Sequence, residues 1–193
     1  MTINIFFLGA PGVGKSTLAH GLLYWLGKHL HLSTGFVEES AKGLTWKGHT
    51  EQLNNQLYVS GLLWENIISI QGKCDVLICD THPLVSDVYS SHIYKEVLNL
   101  EPLYRKIEPN SICVIVDPPL DLHKNYNNDG REHNYENSMY IWTQIQDIII
   151  PKLNSVAIIK VDRNITLEEL GNKASTLINS IQQKTYAEVS YYS

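Results

Sequence analysis

Arginine is scarce in this chain: Arg105, Arg131 and Arg163 are the only three, and 20 acidic residues outnumber 15 lysines and arginines, for a formal charge of −5. Without a broad basic surface, the electrostatic attraction that drives non-specific nucleic-acid binding is missing, so an anionic ligand has to be caught locally. Cysteine is scarce as well. Cys74, Cys79 and Cys113 sit in or beside two apolar runs, an odd count in expected strands that points to reduced core thiols in a reducing, intracellular compartment and away from a disulfide framework or metal cluster. No apolar run approaches the length of a membrane span, and the N-terminus enters a strand without a basic leader region, so a soluble, cytoplasmic protein with no membrane partner is expected. Repeats and low-complexity tracts are also lacking, and 193 residues suit one α/β domain with a sizeable core over 1–193.

Against these absences stands one dense motif. Residues 9 to 17 read Gly9-Ala10-Pro11-Gly12-Val13-Gly14-Lys15-Ser16-Thr17, a full G-x-x-x-x-G-K-[ST] phosphate loop. It follows the apolar run Ile3-Asn4-Ile5-Phe6-Phe7-Leu8 and precedes a helical pattern of Leu18, Leu22, Leu23, Leu26 and Leu30, the context such a loop requires. A triphosphate needs many donors at close range; the backbone N–H groups of a Gly-rich turn supply them, and the next helix points its N-terminus at the charge. Side chains would obstruct the turn. Lys15 is then placed to reach the β- and γ-oxygens, and the Ser16 hydroxyl to join the coordination sphere of Mg²⁺. The pattern predicts binding of a nucleoside triphosphate, taken as ATP, with Mg²⁺.

Short β-rich runs at 3–8, 34–37, 75–80, 111–117 and 156–161 alternate with helical stretches, which predicts a doubly wound, parallel five-stranded sheet of the P-loop NTPase type with helices on both faces and a lid. Runs such as Val76-Leu77-Ile78-Cys79 lack polar alternation because helices would cover both faces. Function then belongs at the carboxyl ends of the strands. Those ends carry the phosphate loop, Glu38-Glu39, Asp80-Thr81-His82, Asp117-Pro118-Pro119 and Asp162-Arg163-Asn164. A helix is expected from about Thr50 to Gln71 with Leu53, Leu57, Gly61, Trp64 and Ile67/Ile68 inward and Trp64 in the core. Packing explains Trp46 and His49 less well, which makes them acceptor-pocket candidates.

Asp80 ends an apolar strand, where a carboxylate can orient Mg²⁺ through its water shell. In phosphoryl transfer to an alcohol, a carboxylate within reach of the acceptor hydroxyl can orient it and take its proton, a task open to either Glu38 or Glu39. The polar stretch at about 120–133, with Asn128-Asp129-Gly130 as turn chemistry, reads as a lid before a helix from about Tyr135; from it Lys124 and Arg131 could close on the phosphates. Arg163 and Asn164 follow the last strand, where a nucleotide base could be wrapped or a plain surface turn could stand.

Together these residues resemble the nicotinamide riboside kinase-like branch of P-loop proteins, the NadR-type AAA domain, over most of the chain. Glu39-Ser40-Ala41-Lys42 is similar to that family's Glu-x-x-Arg element with Lys in place of Arg. Asp80-Thr81-His82-Pro83-Leu84-Val85-Ser86 resembles its Asp-Thr-Asp-type motif with His82 for the second acid. Asp117-Pro118-Pro119 and Asp129-Gly130-Arg131 resemble its acidic-proline and Asp-Gly-x-Arg lid, with Arg131 one position early. The resemblance implies ATP, Mg²⁺ and phosphorylation of a ribosyl hydroxyl, nicotinamide riboside being one candidate acceptor. It implies Lys15, Glu39, Asp80 and Arg131 as the catalytic set. The departures fall at the acceptor or the lid, so Glu38, Lys42, Trp46, His82 and Asp129 are the residues to examine for acceptor contact.

Three other readings compete. A nucleoside monophosphate kinase needs its acceptor phosphate gripped, usually by fork-shaped arginines, and this chain has few; Lys42 and Lys47 keep that reading open. A kinase of a modified base in DNA is disfavoured by the acidic charge. A nucleotide-dependent switch specific for guanine would want Asn-Lys-x-Asp, whereas Asn172-Lys173-Ala174-Ser175 ends wrongly, and Asp80-Thr81-His82-Pro83 lacks the glycine of a D-x-x-G element.

Overall fold

The computed structural model describes residues 1–95, 97–119, 122, 134–153, 157–162 and 164–191. The elements run β1 (Ile3–Gly9), α1 (Lys15–Leu30), β2 (Thr34–Val37), α2 (Ser40–Trp46), α3 (Gln56–Ile70), β3 (Val76–Cys79), α4 (Val85–Tyr94), α5 (Glu101–Tyr104), β4 (Ser111–Asp117), α6 (Tyr135–Ile148), β5 (Ala157–Asp162) and α7 (Leu167–Tyr191). All strand pairings are parallel, in the order β2-β3-β1-β4-β5, so the five expected strands form one doubly wound sheet. The expected lid over about 120–133 lies, except for the buried Leu122, outside the described residues.

Position in the sheet explains the sequence of each strand. Central β1 is buried at every residue, and β3 likewise, because helices lie on both faces. Edge strand β5 instead alternates, with Ile159 and Val161 inward and Lys160 outward. At the carboxyl end of β1 the backbones draw close: a Cβ on Gly9 would sit 2.5 Å from the Val116 carbonyl oxygen of β4. Only glycine lets the chain leave the sheet there and turn into the phosphate loop.

The helices start where local donors are met. The Asn55 side chain accepts from the Tyr58 amide at the head of α3, and Asn134 accepts from the Asn137 amide at the head of α6. Before α7, Thr166 and Glu169 form a reciprocal capping box: the Glu169 amide donates to the Thr166 hydroxyl at 3.2 Å and the Thr166 amide donates to the Glu169 carboxylate at 3.3 Å.

The helix expected from about Thr50 is in fact two pieces. Thr50–Asn54 is a 3₁₀ turn, and α3 begins only after Asn55. The inward face also differs from the periodicity reading: Leu57 and Ile68 are exposed, whereas Gln56, Val59, Ser60, Leu63, Trp64 and Ile67 are buried. Two polar residues can occupy that face because each satisfies itself locally, Gln56 on the Leu53 carbonyl and Ser60 on the Leu57 carbonyl. Trp64 is core, as its place in the pattern suggested.

Cys79 and Cys113 are buried and Cys74 half-buried, all three as free thiols. Burial pushes the Cys79 thiol up to about 12 and the Cys113 thiol higher still, so both are inert core groups. Among the described residues no helix is long and apolar enough to cross a membrane.

Candidate active site

The carboxyl ends of β1, β2 and β3 converge on the loop between β1 and α1. Gly12 and Gly14 hold positive φ values of 85° and 96°, a conformation open to glycine at no steric cost. With Gly14 left-handed at the N-cap, α1 begins at Lys15 and the loop curls over its N-terminus. The Lys15 Nζ donates to the Gly9 and Ala10 carbonyls at 3.1 and 3.0 Å, so the cation is held within the turn itself. From the opposite side Ser138 of α6, fully buried, donates its hydroxyl to the Pro11 carbonyl at 2.6 Å. Nothing in the sequence marks Ser138, which lies 127 residues away from its partner.

Asp80 follows β3 directly and is only 3% exposed. Its amide donates to the Val37 carbonyl at 3.0 Å, tying it to the end of β2 and thus to Glu39. Burial raises its carboxyl above the ordinary range; the Ser16 hydroxyl opposes that shift by hydrogen bonding, Glu39 adds to it, and Lys15 and Lys42 act against it. Asp80 Oδ1 is buried without a hydrogen-bond partner. A buried carboxylate oxygen left so, next to a serine hydroxyl and a lysine at a phosphate loop, fits a divalent cation and its water shell.

The phosphate loop opens into one cavity of about 310 Å³, behind whose lining Asp80 itself is buried. Gly9, Pro11, Gly12, Gly14, Lys15 and Ser16 form one end, Glu39, Lys42 and Thr45 line the α2 side, and Gln56, Val59 and Leu63 the α3 side. Ser86, Tyr89 and His92 of α4 and Ile141 and Ile145 of α6 complete the wall. Such a cavity, with polar groups on its α2, α3 and α4 walls among the apolar side chains, suits a small organic ligand beside the phosphate loop. Gln56, Ser86, Tyr89 and His92 had no motif to reveal them; only the folding of α3 and α4 beside the strand ends brings them together.

The remaining candidates fall elsewhere. Ala10 and Val13 belong to the loop by backbone, but their side chains are buried in the core. Thr17 is exposed behind the loop. Glu38 is exposed and lines only a second groove of about 350 Å³ with Phe36, Lys47 and Leu62, whereas Glu39 lines both that groove and the phosphate-loop cavity. Trp46, at the end of α2, is 67% exposed and does not line the cavity. Asn164 lies in a turn whose amide donates to the Asp162 carboxylate, also off the cavity. Lys124, Asp129, Arg131 and Arg163 lie outside the described residues.

His82 corrects the sequence reading most clearly. It is fully buried, its ring 4.7 Å from that of Tyr104 and 5.5 Å from that of Phe6, and it is absent from the cavity lining. Its Nδ1 accepts from the Leu84 amide at 3.2 Å, so the ring shapes the turn into α4 and faces away from the cavity lining. Burial pushes its imidazole down to about 3, so it is neutral. Its folded value lies below its unfolded value of about 6.5, so the unfolded chain takes up the extra proton. Stability from this site is complete above that unfolded value and declines as pH falls toward 3. The protein should lose about 2 kcal/mol between pH 6.5 and 5 from this group alone. His82→Asn, whose carboxamide oxygen can replace Nδ1, should flatten that slope in urea melts at the two pH values. Parallel slopes for the two proteins would show that the imidazole is not kept neutral.

A family model described as an AAA domain matches residues 4–162. No curated protein matches the chain significantly. Among solved structures, the YorR protein from Bacillus subtilis, described in complex with phosphorylated GDP, is similar at 16% identity with a TM-score of 0.56, over 91% of this chain and 95% of that one. Shikimate kinase from Aquifex aeolicus is similar at 16% identity and TM-score 0.52, over 92% and 96% of the two chains. A gluconokinase from Sinorhizobium meliloti follows at 14% identity and TM-score 0.51, over 96% of both. At these identities the likeness establishes a shared fold.

Proposed function

This chain belongs to the AAA-domain family over residues 4–162, and on that premise we propose that it is an ATP-dependent phosphotransferase moving the γ-phosphate to a hydroxyl of a nucleoside-like small molecule. The observation that carries the reading is the single cavity shared by the phosphate loop, Glu39 and the helical walls of α2, α3 and α4. Two of the similar folds, shikimate kinase and gluconokinase, are named for small-molecule acceptors, which supports an acceptor of that size.

The loop amides and Lys15 bind and orient the β- and γ-phosphates. Ser16 and Asp80 would hold Mg²⁺, which when bound supplies neutralisation of the charge on the phosphate oxygens. Glu39 accepts the proton of the acceptor hydroxyl as its oxygen bonds to the γ-phosphorus; the bond from that phosphorus to the bridging oxygen breaks and ADP leaves. An acceptor filling the cavity against Val59, Leu63, Ile141 and Ile145 displaces water from beside the γ-phosphate.

A phosphorylated acceptor is a poorer fit. Arg105 is tied to Glu101 and Glu108, and among the described residues the cavity lining has lysine but no arginine. The test is ADP release with ATP and Mg²⁺, alone and with a panel of nucleosides, nucleotides and modified DNA, with products read by mass spectrometry. Hydrolysis alone should be slow, and a suitable nucleoside should raise ADP release many-fold with a phosphorylated product. If the whole panel leaves release unchanged while a protein partner accelerates it, the chain is a switch and not a kinase.

A further inference from the structure

We infer that Ser138 is a positioning residue of the phosphate site: its hydroxyl holds the Pro11–Gly12 peptide in the orientation that presents the Gly12 amide to bound phosphate. This rests on taking the loop between β1 and α1 as the site of the triphosphate. The hydroxyls of Ser60, Ser69, Ser90 and Ser180 each donate to a carbonyl three or four residues back on their own helix. Ser138 does otherwise. Fully buried near the head of α6, it donates to the Pro11 carbonyl at 2.6 Å, toward the short end of the O–H···O range. It shares one face of α6 with Ile141 and Ile145, which line the cavity, so the helix that walls the cavity also holds the loop.

Ala10, Pro11, Gly12 and Val13 form a β-turn, closed by the Val13 amide on the Ala10 carbonyl. Proline at the second position and Gly12 with φ 85° at the third make it type II. A type I turn has the same ends and differs by a flip of the middle peptide, Pro11–Gly12. Gly12 has no side chain to resist either state, and the closing bond is 3.5 Å long, so the turn's own contacts hold that peptide weakly. Ser138 supplies the restraint. The peptide is trans, so its C=O and N–H point to opposite sides, and a carbonyl fixed on α6 turns the Gly12 N–H away from α6. The amides that follow, through Gly14 at φ 96°, gather into the cradle that takes an anion. A flipped Pro11–Gly12 peptide would put a carbonyl oxygen where that cradle needs a donor.

The experiment is calorimetric binding of inorganic tripolyphosphate, which needs neither acceptor nor turnover, together with NMR of the chain carrying isotopically labelled glycine. The wild type should bind tripolyphosphate and show a single Gly12 amide resonance that moves on binding. In free Ser138→Ala that resonance should be broadened or doubled as the peptide flips, and tripolyphosphate affinity should fall about 5- to 20-fold. Ser138→Thr keeps the hydroxyl and should bind within about threefold of the wild type. Urea melts report folding; if Ser138→Thr does not fold, the near-isosteric Ser138→Cys, a weak donor, should lose affinity as Ser138→Ala does. A folded Ser138→Ala that keeps either wild-type affinity or a single sharp Gly12 resonance would overturn the inference, whatever its stability, because Ser138 would then serve packing alone. Equal losses in Ser138→Ala and a folded Ser138→Thr, full affinity in Ser138→Cys, or a wild type that binds no tripolyphosphate would overturn it as well. The kinase reading fails separately: the expected binding pattern with no phosphorylated product from any acceptor removes that reading and leaves Ser138 in place, whereas phosphoryl transfer by Ser138→Ala with an unchanged KM for ATP removes Ser138 and leaves the kinase.

Discussion

Lys15→Ala should abolish ATP turnover while leaving the fold intact. The side chain is only half-buried and bonds to carbonyls of its own loop, Gly9 and Ala10, so its loss removes no core packing and exposes two carbonyls that water can satisfy. What it does remove is the one cation held inside the phosphate-binding turn, aimed at oxygens whose charge shifts during transfer. Deleting an electrostatic donor of that kind lowers kcat by about 10²–10³ or more. Circular dichroism establishes the fold, and a coupled ADP assay the loss. Near wild-type turnover in a folded Lys15→Ala protein would remove the lysine from the mechanism.

The second large effect concerns the acceptor. Glu39→Gln should reduce kcat by about 10²–10⁴, the range for a positioned general base, with little change in ATP affinity. Glu38→Gln should do far less, because Glu38 is exposed and, unlike Glu39, does not line the phosphate-loop cavity. Glu39 occupies the N-cap position of α2, yet its side chain makes no capping hydrogen bond, so a structural duty at the helix end does not account for the carboxylate. Its charge is instead near enough to act on Asp80. Small, equal effects from the two substitutions would mean that both carboxylates are ordinary surface groups and that the proton goes elsewhere.

Much of the fold was legible because its signals are local. Continuous apolar runs mark the central strands whatever packs on them, and the glycines at 12 and 14 are demanded by backbone angles that the motif itself encodes. The phosphate-holding end of the site was legible for the same reason. The acceptor end was not: Gln56, Ser86, Tyr89 and His92 come from two helices whose relative placement no spacing reports. Leu57 and Ile68 misled because periodicity counts hydrophobicity and cannot foresee that Gln56 and Ser60 satisfy themselves on nearby carbonyls and so take the inner face. His82 misled for a related reason. A polar residue behind a strand end looks like a ligand until the rings of Phe6 and Tyr104 are seen to enclose it.

The order β2-β3-β1-β4-β5 places the phosphate loop on the central strand, while α2 and α3 both lie within the single connection from β2 to β3 and α4 directly after β3. The phosphate-loop end of the cavity is thus anchored in the innermost part of the sheet, and the rest of its wall comes from helices that follow β2, β3 and β4 in turn. A change of wall residue on α3 or α4 need not pass through the strand that carries the loop. Backbone geometry therefore constrains the two ends of the cavity unequally: the loop end depends on glycines at positive φ and on close strand approach, whereas the helical wall depends only on which side chains its helices present.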